Sequence, residues 1–558
     1  MPQRSRLSPR PLSSWTSPVL RRVVLRQGMA AGLASLGLSL RSSLAGQVTQ
    51  PTSFDVETLE ETARTLASLP YVPPSQQLPE TLAGLDYERY GKIRFLPDHA
   101  LWHGRGERFE AEFFHRGYLF KDRVAINEIV NGISHPIRYN PAWFDLGDIS
   151  PPEDDIGLAG FRILARFPGA SPRDRKEIAV FLGASYFRAV APGQNFGLSA
   201  RGLALGSGEN GTEEFPVFRE FWLERPQQDA DHLVIYALLD SPSLTGAFRF
   251  VLRSDVETVM DVDSVLFPRR DIANIGIAPL TSMFWFDPSY RVGVDDYRQA
   301  VHDSDGLLIH TGAGETIWRS LADPEKVQLS SFADHSPRGF GLMQRQRGFD
   351  AYEDIGARYD LRPSAWVEPD EDWGEGAVHL AELPTGTEFQ DNIVAFWRPT
   401  APLRVGQQYR YAYRLRWCDD ISAHTLARVV AFRAGASADP KRRFFMLDLA
   451  GGDLRADEKM LDAMAPPASP RQLAAMLVPE VICSAGQLKW AEIKRIPAYP
   501  VASMHGMRRS GVALYRVGFE LEPGDASLVD LTVRVRRGGK VVSETWMYRW
   551  TAKDHPRP

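Results

Sequence analysis

Cysteine is almost absent from this sequence, which has only Cys418 and Cys483 among its 558 residues. A framework of several disulfides is therefore excluded, and the fold must be stabilised by burial of apolar side chains. A single disulfide between the two cysteines stays open. Neither the cysteines nor the 12 histidines show metal-ligand spacing, so the sequence predicts no metal site and no other cofactor.

Motifs of several enzyme classes are also lacking. No G-x-S-x-G motif is present, which argues against acyl chemistry on a nucleophile elbow. Residues 206–211 are rich in glycine but lack the Lys-Ser/Thr of a phosphate-binding loop, and we interpret them as a hairpin or surface loop. The apolar run at 29–40 is too short and too rich in glycine and alanine to span a membrane.

Acidic residues are missing from the first 45 residues, which contain seven arginines. The pair Arg21-Arg22 precedes the apolar run at 29–40, and small residues follow up to Ala45. This order predicts an export signal over residues 1–45 that is cleaved after about Ala45. The arginine pair favours the twin-arginine route, but two residues around it depart from that motif, so the ordinary secretory route stays open.

Removal of this signal makes the chain more acidic and still leaves more residues than one domain usually contains. The remaining 513 residues or so carry 58 basic and 70 acidic side chains, a net charge of −12. Such an acidic protein is a poor partner for nucleic acid or for an anionic membrane. A chain of this length favours two domains.

The spacing of apolar residues indicates one helix followed by many strands. Residues 54–69 have apolar positions at helical spacing and predict an amphipathic helix. After this helix, apolar and polar residues alternate in short runs that are separated by turn residues. The clearest predicted strands are 108–115, 124–130, 161–167, 177–183, 215–223, 233–240, 246–253, 256–267, 408–417, 444–449, 514–521, 528–535 and 544–550.

These runs predict an all-β protein. We expect a large antiparallel β-sandwich at 46–420, followed by a smaller immunoglobulin-like β-sandwich at 430–558. The boundary is placed where the alternation ends after Trp417 and a small-residue stretch, 434–440, begins.

Residues 359–397 combine aromatic rings, carboxylates and turn residues. Tyr359, Trp366 and Trp373 offer flat apolar faces, and Arg362 lies among them as a cation. Sugar rings stack on aromatic faces, and a carboxylic acid with a second base cleaves glycosidic bonds. The segment therefore fits a glycan-cleaving site, although acidic loops on β-proteins usually only keep a surface soluble.

Two carboxylate pairs are candidates for acid–base chemistry. Glu388 and Asp391 precede residues 393–397, which are apolar at every position and predict a strand buried on both faces. Asp391 then lies at the mouth of a rigid core strand. Asp303 and Asp305 form the second pair. On spacing alone, structural roles are the better explanation: a turn or strand cap for Asp391, and an Asx-turn before Gly306 for Asp303 and Asp305.

Several long motifs resemble the periplasmic glucan biosynthesis protein family, the OpgG/OpgD group. They are R-P-S-A-W-V-E-P, W-G-E-G and E-F-Q-D-N-I-V-A-F-W in the 359–397 segment, with P-L-T-S-M-F-W and H-D-S-D-G-L upstream. The resemblance covers nearly the whole exported chain. Within the group, the twin-arginine-like signal is similar to the OpgD type.

This resemblance implies roles for the candidate residues. The family resembles enzymes that act on β-1,2-glucan with inversion of the anomeric centre. Asp391 then matches the general acid, and Asp303 and Glu388 match the carboxylates that take the proton from water, directly or through a relay. Tyr359, Arg362, Trp366 and Trp373 fall on the substrate cleft, where we interpret the tyrosine as a hydrogen-bonding neighbour, the tryptophans as stacking platforms and the arginine as an orienting donor.

The expected function is therefore that of a periplasmic inverting endo-β-1,2-glucanase. A transglycosylase or cyclising enzyme, and a non-catalytic glucan-binding scaffold, stay open as alternatives. The expected partners are β-1,2-glucan and the membrane glucan synthase, and a homodimer is left open.

Overall fold

The computed structural model describes residues 51–167, 174–209, 211–228, 230–291, 293–421, 425–452, 454, 477–496 and 514–552. The predicted export signal at 1–45 lies outside them. Within these ranges, no helix has both the length and the apolar character needed to cross a membrane. Cys418 and Cys483 are not bonded to each other.

Helices occur mainly near the start of the described chain. The first confirms the helix predicted at 54–69. Asp55 caps it by accepting a hydrogen bond from the N–H of Thr58 at 2.7 Å, and Leu59 and Ala63 are its buried residues. The helices are α1 (Val56–Ala67), α2 (Glu80–Ala83) and α3 (Tyr87–Tyr90), with short 3₁₀ turns at Pro97–His99, Pro141–Trp143, Phe349–Ala351 and Tyr359–Leu361.

Strands make up most of the remaining structure. In the first half they are β1 (Thr52–Ser53), β2 (Arg94–Phe95), β3 (Phe109–His115), β4 (Ala125–Val130), β5 (Ile133–Pro136), β6 (Phe144–Asp145), β7 (Leu158–Arg166), β8 (Arg175–Leu182), β9 (Tyr186–Ala189), β10 (Ser199–Arg201), β11 (Leu203–Leu205), β12 (Val217–Glu224), β13 (His232–Asp240), β14 (Leu244–Ser254), β15 (Thr258–Pro268), β16 (Ile275–Ser282), β17 (Phe284–Phe286) and β18 (Val301–His302). In the second half they are β19 (Gly306–His310), β20 (Thr316–Ser320), β21 (Gln328–His335), β22 (Gly339–Met343), β23 (Ser364–Pro369), β24 (Glu375–Glu382), β25 (Ile393–Pro399), β26 (Tyr409–Cys418), β27 (Arg428–Ala436), β28 (Arg443–Ala450), β29 (Leu477–Cys483), β30 (Gln487–Ile496), β31 (Leu514–Glu522), β32 (Leu528–Arg537), β33 (Lys540–Val541) and β34 (Thr545–Thr551).

Two large sheets form the first sandwich. Among the described residues, one sheet has 16 strands in the order β1-β5-β4-β12-β13-β14-β15-β26-β23-β22-β19-β20-β34-β32-β29, with β33 beside β32. The other has ten, in the order β21-β24-β25-β16-β10-β9-β8-β7-β3, with β11 beside β16. Their inner faces meet through aromatic rings: Phe161 contacts Phe221 at 5.0 Å, and Phe181 contacts Phe250 at 5.4 Å between ring centroids.

A second sandwich forms around the C-terminal strands. In the described part of the chain, four strands pair in the order β27-β28-β31-β30. They pack against β32 and β34 of the large sheet, where the ring of Phe432 lies 4.7 Å from that of Trp546. Strand β34 pairs in parallel with β20, so the C-terminal strands continue the large sheet.

The predicted all-β sandwich fold is confirmed. Each strand predicted from alternation overlaps a strand of the structure, and the run at 393–397 is completely buried as part of β25. The domain boundary between 420 and 430 stays a prediction. The pairing of β20 with β34 connects strands from the two sides of this boundary.

Candidate active site

Strand β25 fixes the position of Asp391. This strand lies between β24 and β16, and Asn392 directly before it is completely buried. The backbone N–H of Asn392 donates to the Ser282 carbonyl at 3.1 Å. Its side-chain amide donates to the carbonyls of Phe284 and Leu383, at 2.9 and 3.0 Å, and accepts from the N–H of Phe284 at 2.9 Å. Asp391 is half-buried, and the three side-chain hydrogen bonds of Asn392 hold its segment in place.

Asp303 is held against the same stretch, residues 282–284. Its backbone N–H donates to the Met283 carbonyl at 2.8 Å, directly after the short pairing of β17 with β18. The hydroxyls of Ser282 and Ser304 are 2.8 Å apart and add a further link. Residues 282–284 thus hydrogen bond to both the Asp391 segment and the Asp303 segment, which brings the two candidate carboxylates to one end of the ten-stranded sheet.

A buried cation accompanies Asp303. The Nη1 atom of Arg362 lies 3.6 Å from Oδ1 of Asp303, and both side chains are almost completely buried. The guanidinium also donates to the carbonyls of Ala357 and Phe196, and it lies 5.2 Å from the ring centroid of Tyr359. These hydrogen bonds fix the guanidinium as a counter-charge for a carboxylate that water does not reach.

Tyr359 connects this buried pair to Glu388. The phenol hydroxyl donates to Oε2 of Glu388, whose side chain is 20 % exposed. Arg298 donates to the same oxygen at 2.9 Å and also pairs with Asp296 and Asp354, at 2.8 and 2.7 Å. Burial lowers the pKa of Arg298, but its hydrogen bonds to these carboxylates raise it above its ordinary value. Arg298 therefore stays charged and holds Glu388 as a hydrogen-bond acceptor.

Arg201 is a cation that interacts electrostatically with Asp391. It is buried on β10, where it donates to the hydroxyl of Thr281 at 2.8 Å and to Glu213 at 2.7 Å. Burial lowers the pKa of Arg201, and its interactions with Tyr186, Glu213 and, more weakly, Asp391 raise it above its ordinary value. Asp391 thus lies within electrostatic reach of a cation that already has a carboxylate partner.

Asp305 has a structural role. Its carboxylate accepts hydrogen bonds from the backbone N–H groups of Arg345 and Gln346, at 3.0 to 3.2 Å. Burial raises the pKa of Asp305 to about 6, and the charge of Arg345 counteracts part of this effect. Burial also lowers the pKa of the neighbouring His302 to about 4, so its imidazole is neutral at pH 7.

The two predicted stacking tryptophans lie in the hydrophobic core. Trp366 is 2 % exposed, contacts the ring of His310 at 4.9 Å and donates to Glu368 at 3.0 Å. Trp373 is 6 % exposed, and its neighbours are the rings of Trp397, Tyr411 and Tyr413, at 5.8 to 6.3 Å. These contacts give no support to the stacking role, which stays a prediction.

The structure adds residues that sequence reasoning missed. Trp285 lies between the completely buried Phe284 and Phe286 on β17. Its half-buried indole is 5.1 Å from the ring of Phe286 and packs against the apolar cluster that contains Tyr359. Trp285 ends the P-L-T-S-M-F-W motif, so a signal for it was present. Arg298 had none, because its partner Glu388 is 90 positions away. In the described ranges, no cluster of three or more His, Cys, Asp or Glu could hold a metal ion.

Comparisons with known proteins cover almost the whole chain. The sequence pattern of the family described as "Periplasmic glucan biosynthesis protein, MdoG" matches residues 54–550. A "Glucans biosynthesis protein G" of Rhodopseudomonas palustris (strain BisA53) is 45 % identical over 505 residues, which are 90 % of this chain and 94 % of that protein. The protein of the same name from Vibrio cholerae serotype O1 (strain M66-2) is 42 % identical over 507 residues, 89 % of this chain and 87 % of that protein.

The similarity to a solved structure is much weaker. A "Polysaccharide Lyase BACCELL_00875" aligns with 71 % of this chain and 44 % of its own at 9 % identity, and a TM-score of 0.19 carries no argument about fold or function. The assignment to a family therefore depends on the sequence comparisons. The assignment to the OpgD type within the group stays a prediction. On the match over residues 54–550 and the identities above, the chain belongs to the periplasmic glucan biosynthesis protein family.

Proposed function

We propose that this protein cleaves the backbone of β-1,2-linked glucan in the periplasm as an inverting endo-glucanase. The observation that carries the proposal is the attachment of both Asp391 and Asp303 to residues 282–284, with Glu388 linked to the Asp303 side through Tyr359 and Arg362. An inverting glycosidase needs an acid and a base on separate supports with room for a water between them. Asp391 and Asp303 lie on separate segments that are both hydrogen-bonded to residues 282–284, and this arrangement supports the proposal.

Asp391 is the general acid in this proposal. Its proton goes to the glycosidic oxygen as the bond from that oxygen to the anomeric carbon breaks. Water adds to the anomeric carbon from the opposite face and gives up its proton to the base. A bound sugar chain displaces water from the half-buried Asp391, and this desolvation favours the protonated form that an acid requires.

Glu388 and Asp303 share the base function. Glu388 is 20 % exposed, so it can reach a water directly, and Arg298 and Tyr359 orient its carboxylate. Asp303 is completely buried beside Arg362, so it can take up the proton only through a relay of hydrogen-bonded groups. The same geometry would serve a transglycosylase if a sugar hydroxyl replaced the water.

The complete burial of Asp303 favours a second candidate, a non-catalytic glucan-binding scaffold. In that case the buried Asp303–Arg362 pair serves only to build the cleft. The membrane glucan synthase would then be the partner that needs the scaffold. A homodimer is compatible with both the glucanase and the scaffold.

The decisive experiment is incubation of the purified exported protein with linear β-1,2-glucan, followed by product analysis and by NMR of the newly formed anomeric centre. We expect shorter linear products with the α-configuration. Cyclic or rejoined products would support the transglycosylase, and an unchanged polymer that still binds would support the scaffold.

Replacement of the proposed acid gives a sharper test. We expect Asp391→Asn to lower kcat by about 10²- to 10⁴-fold, because it removes the proton donor, with glucan binding and the unfolding transition retained. Asp372→Asn is a matched control in the same segment, because Asp372 is exposed and lies outside the site. Full activity of Asp391→Asn would remove Asp391 from the mechanism.

A further inference from the structure

Residues 344–347, which follow β22, contact the backbone of the candidate site. The side-chain amide of Gln344 is buried and donates to the carbonyls of His302 and Tyr359, at 3.0 and 3.3 Å. Arg347 donates to the carbonyl of Arg362. One four-residue segment therefore holds the main chain at three places where the site is built.

The same segment fixes the chain on the other side of Asp303. The N–H groups of Arg345 and Gln346 donate to the carboxylate of Asp305, and the N–H of Asp305 donates to the carbonyl of Met343 at 2.8 Å. Because Gln344 holds His302, both neighbours of the 303–304 pair are anchored to one element. A shift of residues 344–347 would therefore move Asp303.

This segment is attached in turn to the C-terminal sandwich. Nη1 and Nη2 of Arg345 donate to the two oxygens of Glu544, at 2.9 and 2.6 Å, and Nη1 donates to the Val429 carbonyl at 2.9 Å. The guanidinium lies 3.5 Å from the ring centroid of Trp318 on β20. Its side chain is 6 % exposed and that of Glu544 is completely buried.

Glu544 is itself fixed on both sides. Its carboxylate accepts from the N–H of Val429 at 3.0 Å, and its own N–H donates to the carbonyl of Ala427 at 2.9 Å. A buried two-pronged ion pair has a narrow range of geometries, since any displacement leaves a charge without a partner in a medium of low polarity. The pair can therefore transmit the position of β27 and β34 to residues 344–347.

We infer that Glu544 and Arg345 are positioning residues through which the C-terminal sandwich sets the geometry of Asp303, Tyr359 and Arg362. Both side chains are buried, so neither is placed to contact a bound glucan. The effect on turnover rests on the proposed function, but the mechanical link between the two sandwiches does not. The test therefore needs one readout that requires catalysis and one that does not.

The main variant is Glu544→Gln, which keeps the shape of the side chain and removes its charge. Glu480→Gln is the matched control, because Glu480 on β29 forms a partly exposed ion pair with Arg534 and Arg536 on the neighbouring strand β32. The first readout is hydrogen exchange of peptides that contain Asp303 and Tyr359–Leu361. We expect exchange there to accelerate about tenfold in Glu544→Gln and to stay unchanged in Glu480→Gln.

The second readout is the kinetics on β-1,2-glucan. We expect kcat of Glu544→Gln to fall about tenfold with little change in KM, and Glu544→Asp to recover part of the loss. In Arg345→Met/Glu544→Gln, which removes both charges, stability should recover while kcat stays low, because the site has still lost its anchor. Recovery of both would mean that the pair only stabilises the fold.

The outcomes separate the two proposals. If the wild-type protein does not cleave the glucan, the proposed function fails, and the exchange data still decide whether the link exists. If exchange near Asp303 is the same in Glu544→Gln and Glu480→Gln, the inference is overturned whatever the activity. Should Glu544→Gln not fold, Glu544→Asp carries the same comparison, because it keeps the charge and withdraws it from Arg345.

Discussion

Tyr359 contributes two different surfaces to the candidate site. Its ring lies beside the guanidinium of Arg362, and its hydroxyl donates to Glu388. The side chain is completely buried, so its position is fixed by contacts on all sides. Tyr359 thus connects the buried Asp303–Arg362 pair to the partly exposed Glu388 through direct contacts with Arg362 and Glu388.

Removal of the hydroxyl alone tests this connection. A hydrogen bond to a charged group is worth about 1.5–3 kcal/mol, so we expect Tyr359→Phe to lower kcat about 10- to 100-fold. The ring stays, and the fold should remain stable in urea denaturation. Tyr413→Phe is the control, since Tyr413 is equally buried but lies against Trp373 in the core. Equal losses in the two variants would contradict the role of the hydroxyl.

Trp373 allows stacking and core roles to be told apart. Because it is buried against three other aromatic rings, we expect Trp373→Ala to lower the free energy of unfolding by about 3–5 kcal/mol. Trp490→Ala, at a position that is 36 % exposed, should cost no more than about 1 kcal/mol. Unchanged stability of Trp373→Ala together with weaker glucan binding would instead support the sugar platform.

Single residues mark the limit of what the sequence could predict about the site. Local motifs indicated Asp303, Tyr359, Arg362, Glu388 and Asp391, and the structure brings the first four into one chain of contacts. Which face of a strand a tryptophan occupies depends on the register of pairing, and no local pattern specifies it. The pairing of Arg298 with Glu388 depends in the same way on the whole fold.

At the scale of elements, the junction of β25 with β17 determines where the proposed acid lies. Asn392 satisfies both backbone groups of Phe284 and the carbonyl of Leu383 with one side chain. These side-chain bonds add to the backbone hydrogen bonds that Asn392 makes with Ser282 and Leu383 at the end of the sheet. The hydrogen bonds of Asn392 therefore also fix the backbone position of Asp391, the residue before it.

Replacement of Asn392 should disturb both fold and function. Asn392→Ala leaves buried backbone groups without partners, and we expect the free energy of unfolding to fall by about 3 kcal/mol and turnover to be lost. Differential scanning fluorimetry and the glucan assay measure these effects. Asn274→Ala removes one half-buried side-chain bond and should cost about 1 kcal/mol. Full activity of Asn392→Ala would show that the junction does not position Asp391.

Elements were predicted well where their own sequence determines them. Alternation along 408–417 indicated β26, because its arginines pair with acidic residues on the wet face while Tyr411, Tyr413 and Leu415 are buried. Strands β16 and β23 are buried at most positions and showed no alternation, so they were missed. The order of strands in the sheets depends on pairings between distant segments and was not predicted.

At the scale of the whole molecule, buried histidines make stability depend on pH. Burial lowers the pKa values of His115, His302 and His379 to about 4. The unfolded chain binds these protons near pH 6.5 and the folded one only near 4. Their contribution is therefore complete above pH 6.5 and is lost as the pH falls toward 4, by about 3 kcal/mol for each. Asp305, with its pKa raised to about 6, acts in the opposite direction between about pH 4 and 6.

Burial also raises the pKa values of Glu177, Glu220, Asp240 and Asp287, which act in the same direction as Asp305. The contribution of the three histidines to the free energy of unfolding should itself be lower at pH 5 than at pH 7. His115→Gln should reduce this difference by about 2 kcal/mol in urea titrations at the two pH values. His99→Gln, at an exposed position, is the control. An unchanged pH dependence in His115→Gln would mean that this imidazole is already charged in the folded protein.

The parallel pairing of β20 with β34 has a consequence for how the chain is made. Ile317 and Trp318 find their partners only at Thr545 and Trp546, after every other described strand has been synthesised. Until then, β20 exposes unpaired backbone groups of the kind that recruit strands from other chains. Nascent or truncated copies should therefore be prone to aggregation, and the large sheet can complete its strand pairing only when translation has passed residue 547.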